Sequence, residues 1–149
     1  MNKTSNNVAE LMEGRLPTKG NSQQYANIWM QSWENTMSRL LAVREAARKN
    51  KKQQFTNLFH HVSEALLLQS FNQFKRHSAP GCDGVIWEYY AENAQSHISE
   101  LHGRLQRGQY RPMPTRRVLI PKEDGTERTL SILCLEDKIV QQATFTVLN

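Results

Sequence analysis

Long apolar runs are missing from this chain of 149 residues; those present are short, such as Ala-Leu-Leu-Leu at 65–68 and Val-Leu-Ile at 118–120. A membrane-spanning helix needs about 20 predominantly apolar residues, so no membrane partner is expected. The opening MNKTSNNVAELMEG lacks the apolar centre of a secretory signal. Cysteine is scarce too. Cys82 and Cys134 lie far apart, form no Cys-x-x-Cys pair and have no histidine at ligand spacing. That excludes the usual zinc patterns and points to reduced thiols in a cytoplasmic protein. His60 and His61 with Glu64, and His97 with Glu100, set imidazole beside carboxylate on helical positions, but no His-Glu-x-x-His and no third ligand accompanies them. They read as solvated helix surface. No Walker-type loop, nucleophile elbow, internal repeat or Asp-Asp pair occurs. With 38% apolar residues and a mean hydropathy of −0.67, the core available per residue is modest.

What is present is positive charge in blocks. The net charge is +5 and the sequence pI about 9.4, which suits a polyanionic partner. Between Leu101 and Pro121 stand five arginines, Arg104, Arg107, Arg111, Arg116 and Arg117, and no carboxylate. A second block at 44–52 holds Arg44, Arg48, Lys49, Lys51 and Lys52 against Glu45 alone. Such blocks neutralise phosphates and release counterions, and cations at a helix C-terminus also complement its dipole. For 44–52 both readings stand. The arginine-only stretch leads directly into a hairpin and is assigned to RNA.

Residues 1–21 are polar, punctuated by Gly14, Pro17 and Gly20, and are expected to form a flexible leader. Tyr25, Ile28, Trp29, Trp33, Met37, Leu40 and Leu41 recur at helical spacing and predict a helix over 25–48 whose tryptophans pack in a core rather than stack on bases. Phe55, Leu58, Phe59, Val62, Leu66, Phe71 and Phe74 predict a second over 53–77, ended by Pro80-Gly81. A third is expected over 86–106, with Trp87, Tyr90, Ile98, Leu101 and Leu105 inside, Asp83 as its cap and Gly108 as its stop. Between them Lys75 and Arg76 precede a glycine-containing loop at 78–84 whose backbone amides can approach a phosphate.

The segment 110–142, YRPMPTRRVLIPKEDGTERTLSILCLEDKIVQQ, carries the sharpest pattern. Asp124-Gly125 between apolar runs predicts a type I′ hairpin turn, with a returning strand over 127–133. Strand alternation places Arg116, Val118 and Ile120 on one face and Arg117 and Leu119 on the other. Lys122 and Arg128 flank the turn from opposite strands, where a point charge and a planar fork can meet one anion. A C-terminal helix follows from Leu135, with Glu136 and Asp137 placed to stabilise its N-terminus and Val140, Val147 and Leu148 expected to lie exposed.

The order Tyr-x-Pro, basic pair, Ile-Pro-Lys, Asp-Gly, Arg-x-Leu and Asp-Lys-Ile-Val-Gln-Gln resembles the first conserved blocks of reverse transcriptases encoded by group II introns. APGCDGV at 79–85 resembles the glycine-rich loop that precedes them. The resemblance spans about 25–149 and rests on several elements in order rather than on any single one. It implies an α+β, mainly α fold: N-terminal helices over 22–109, then part of a fingers subdomain over 110–149 with its β-hairpin and C-terminal helix, an incomplete right-hand polymerase fold. It also implies that Lys122 and Arg128 reach the triphosphate of an incoming nucleotide, and that the loop beside Lys75 and Arg76 lies near template and primer. Thr129 and Leu133 stand where family members usually have proline. Magnesium is implied for a complete member through palm aspartates and a Tyr-Ala-Asp-Asp tetrapeptide, none of which this sequence contains, so no catalytic residue, cofactor or metal site is assigned here. The expected partner is RNA, as intron RNA or template-primer, with deoxynucleoside triphosphate only if a palm is supplied. The expectations are therefore a fragment of a reverse transcriptase and maturase without polymerase activity alone, or a non-catalytic RNA-binding module or remnant.

Overall fold

Residues 22–149 are described by the computed structural model; the expected leader at 1–21 and the side chains of Ser22, Gln23 and Tyr25 lie outside the described residues. The chain is mainly helical, with a two-stranded antiparallel hairpin and a C-terminal helix. In order, the elements are α1 (Ser22–Lys49), a 3₁₀ turn (Leu58–His61), α2 (Glu64–Asn72), α3 (Trp87–Glu92), α4 (Ala94–Gln106), β1 (Arg116–Pro121), β2 (Glu127–Ile132) and α5 (Leu135–Leu148).

The short α2 is the hub. Leu66, Leu67 and Phe71 are almost fully buried, because α2 packs against α1, α4 and α5 at once. Its run of consecutive apolar residues matches this all-round burial, since a helix apolar on one stripe would face only one neighbour. Ser63 caps it, accepting from the Leu66 N–H, and Ser70, buried mid-helix, returns its hydroxyl to the Leu66 carbonyl at 2.8 Å. Trp87 stacks on Phe71 with ring centroids 5.0 Å apart, and Tyr90 closes the other side at 5.2 Å. From α1, Leu40 enters the same core with Trp33 and Met37 beside it, which places the Trp33 ring where the helical stripe predicts. The stripe is narrower than predicted, however, for Ile28 and Leu41 are more than half exposed.

The helix expected over 53–77, with Pro80-Gly81 as its stop, is not continuous and already ends at Asn72. Asn57 takes a left-handed conformation with φ 69° ahead of the 3₁₀ turn, and Ser63 starts α2 afresh; an apolar period with phenylalanines at both ends hid a capping residue in its middle. The helix expected over 86–106 is interrupted at Asn93, whose φ −131° and ψ 41° are not helical. Asparagine is a poor helix former. The break brings His97 against Tyr90, centroids 4.6 Å apart. Asp83 does not cap this helix: its Oδ1 accepts from the Val85 N–H, a turn within the loop, and Ile86 precedes α3 without a side-chain cap. Gly108 does end α4, with φ +66° and its N–H bonded to the Leu105 carbonyl.

At the C-terminal helix Ile139, Ala143 and Val147 are buried and Val140 packs on the core. The expected exposure of Val140 and Val147 is thus corrected, because α5 lies directly against α2; Leu148 stays 70% exposed. Arg44 of α1 donates to the Thr146 carbonyl at 3.0 Å, serving the C-terminal end of α5 across the interface. Among the described residues no helix is long and apolar enough to cross a membrane.

Candidate nucleic-acid interface

The hairpin register pairs Arg116 with Ile132, Val118 with Leu130 and Ile120 with Arg128. Opposed residues of an antiparallel ladder project to one side, so these share a face, while Arg117, Leu119, Ser131, Thr129 and Glu127 share the other. Beyond the last pairs, the Lys122 N–H donates to the Thr126 carbonyl at 2.7 Å. That bond makes Lys122 a diagonal neighbour of Arg128 on the first face, at a backbone spacing of roughly 7–8 Å, well within reach of two long side chains. The turn itself differs from the predicted type I′. Gly125 has φ +80° but Asp124 does not enter positive φ, and the Gly125 N–H returns to the Lys122 carbonyl. This is a type I turn with a left-handed glycine bulge, the usual three-residue loop. Asp124 accepts from both the hydroxyl and the N–H of Thr126, and these bonds hold its carboxyl below the ordinary range. Its charge is therefore turned to the loop backbone.

Arg116, Arg117, Lys122 and Arg128 are exposed, and among the described residues no ion pair engages them. The first face thus carries Arg116, Lys122 and Arg128 around half-buried Val118 and Ile120, without a carboxylate at its paired positions.

The remaining basic candidates have other surroundings. Arg104 donates to both carboxylate oxygens of Glu136 at 2.9 Å and lies 3.7 Å from Glu100. Burial is the largest single influence and weighs against its charge, but the Glu136 hydrogen bond together with the charges of Glu136 and Glu100 outweighs it and raises its pKa. It fastens α4 to α5, a role the arginine-only stretch hid because its carboxylate lies 32 residues away. Arg107 donates to the Gln109 side chain and Arg111 to the carbonyls of Gly108 and Tyr110, and both remain exposed. Arg76 sits 5.4 Å over the Trp87 ring, a cation–π contact that leaves it and Lys75 at the surface. The structure brings Arg116, Lys122 and Arg128 together; it assigns Arg104 to the helical body.

Glu136 and Asp137 do stand in the first turn of α5, yet their partners were not legible from the sequence. Glu136 also accepts from Tyr90. Asp137, 4% exposed, accepts from the Tyr110 hydroxyl and from the Met113 N–H at 2.9 Å, anchoring the segment that leads into β1. Burial first, and these carboxylates second, push both tyrosines well above the ordinary phenol range. Glu64 meets His102 and Ser99, not the neighbouring histidines.

No protein-family model matches the chain. Protein YkfC of Escherichia coli (strain K12) is 42% identical to it over 64 residues, a stretch covering 43% of this chain and 17% of that protein. The chain therefore matches less than a fifth of that relative's length.

The magnesium implied by the family resemblance can be tested against the donors present. Among the described residues no group of three or more His, Cys, Asp or Glu side chains gathers that could hold a metal ion, and Glu136, Asp137 and Asp124 are bonded as above. Among the described residues this donor set does not fit a divalent metal centre.

Proposed function

We propose that this chain corresponds to the N-terminal extension and fingers region of a group II intron reverse transcriptase and maturase, and that its own activity is to hold RNA phosphates on the hairpin. The observation that carries the reading is the shared face of Arg116, Lys122 and Arg128, unpaired by carboxylates and set around a glycine-turned loop. Lysine meets a phosphate as a point charge and arginine as a fork, so the face can follow a sugar-phosphate chain or grip a triphosphate. In a chain joined to a palm, Lys122 and Arg128 reach the nucleotide triphosphate. The chain alone has no polymerase activity on this reading.

A stand-alone RNA-binding module is favoured by one observation, the closed packing of α1, α4 and α5 around α2. Both readings require RNA affinity. Fluorescence anisotropy with a labelled structured RNA tests it: the R116A/K122A/R128A variant is expected to bind at least about tenfold more weakly at low salt, a loss of about 1.4 kcal/mol. Unchanged affinity, with circular dichroism showing an intact fold, overturns the assignment. Polymerase assays of the same variant joined to a palm separate the readings, since only the first expects a raised KM for nucleotide.

A further inference from the structure

Cys82 and Cys134, separated by 52 residues in sequence, have their Sγ atoms 3.4 Å apart. Both are free thiols, in keeping with the sequence reading, but that they touch is something no spacing rule reveals. Cys134 precedes α5 and is 1% exposed; Cys82 sits in the glycine-containing loop and is exposed.

The contact is built by the backbone. A Cβ on Gly81 would stand 2.5 Å from the Cys134 Cα and 2.8 Å from its Sγ, so only glycine lets the loop lie this close to the start of α5. The loop is fastened on either side of Cys82. Gly84 takes φ +70° and its N–H bonds to the Gly81 carbonyl, Asp83 accepts from Val85, and Lys138 of α5 reaches the Ala79 carbonyl at 3.5 Å.

We propose that Cys82 and Cys134 form an oxidisable pair, with Cys82 attacking a peroxide and Cys134 resolving it to a disulfide that ties the loop to α5. The roles follow from access: the exposed Cys82 thiol meets the oxidant, while Cys134, 1% exposed, is shielded from it and lies within reach of Cys82 alone. In the first step the Cys82 thiolate attacks hydrogen peroxide; an S–O bond forms, the O–O bond breaks, and the leaving hydroxide takes a proton to become water. In the second, the Cys134 sulfur attacks the Cys82 sulfenic acid; the S–S bond forms, the S–O bond breaks, and the released hydroxide takes the Cys134 proton as a second water. Two thiols lose two electrons in total and the peroxide gains them. The sulfurs need to close from 3.4 Å to a bond of about 2.05 Å, a movement on the scale of side-chain adjustment.

The test uses the folded full chain treated with hydrogen peroxide, then denatured, alkylated and digested for mass spectrometry. The expected product is a peptide pair joined through Cys82 and Cys134, lighter by two hydrogens, restored by dithiothreitol, and formed in lower yield when the oxidation is run in urea. In Cys134→Ser, dimedone is expected to trap a sulfenic acid at Cys82; in Cys82→Ser, Cys134 is expected to stay alkylatable. Oxidation of wild-type Cys82 to sulfinic acid with Cys134 still free, a link only between chains, or equal yield in urea overturns the proposal. The wild-type measurement stands even if a variant does not fold.

Discussion

A carboxylate buried to 4% exposure is costly unless its oxygens are met, and Asp137 meets the Tyr110 hydroxyl and the Met113 N–H. Asp137→Ala leaves both donors without this acceptor. The expected loss is roughly 1–3 kcal/mol, read as a lower urea midpoint with an unchanged slope. Tyr90 and Tyr110 supply a pH dependence. Their folded pKa values are raised, first by burial and then by the acids beside them, so their contribution to stability is fully present below the unfolded value of about 10. Above that pH the unfolded state has lost protons that the folded state keeps, and stability falls as pH rises until the folded phenols ionise too. Urea midpoints measured across the alkaline range should therefore decline beyond about pH 10, and more shallowly in Y90F/Y110F. An equal decline in wild type and double variant would remove the tyrosines as its cause. Sequence spacing pointed to Tyr90 as core, but not to its carboxylate, because the partner comes from another helix.

Elements are where local signals and packing compete. Gly108 ends α4 and the hairpin turns at Gly125, since positive φ is a backbone requirement that one residue type announces by itself. The helix expected over 53–77 shrinks to a 3₁₀ turn and α2, and that expected over 86–106 divides in two, because an apolar period records which residues seek the core but not whether one axis can deliver them. Ser63 and Asn93 were the available signals, a capping residue and a weak helix former. Gly81 shows the opposite case: the sequence offered it as the stop of a helix that in fact ends at Asn72, while its closest neighbour, the Cys134 backbone at 2.5 Å from a built Cβ, was not legible. Gly81→Ala is expected to cost about 1–3 kcal/mol through overpacking, seen as a lower Tm. A Tm equal to wild type would mean that the loop moves freely from α5.

At the scale of the whole molecule, a net charge of +5 acts through its distribution. The helical body uses Arg104 and Arg44 internally, whereas the hairpin, which shares few contacts with the helices, presents its cations outward. On the proposed reading, RNA affinity is expected to fall linearly with salt on logarithmic axes, and removal of Arg116, Lys122 and Arg128 to flatten the slope by about 2 for single-stranded contacts. A slope unchanged by that substitution would place the phosphates elsewhere, with Lys75 and Arg76 the next cations to replace. The sequence by itself determined the helical N-terminal part, the hairpin with its faces, the C-terminal helix and the basic block, because periodicity, turn residues and local charge are properties of neighbours along the chain. Only the tertiary structure decided which arginine is bound by Glu136, where Asp137 spends its charge, how α2 is enclosed, and that Cys82 touches Cys134. Each of these joins residues distant in sequence, and such contacts depend on how the elements pack rather than on any pattern within one of them.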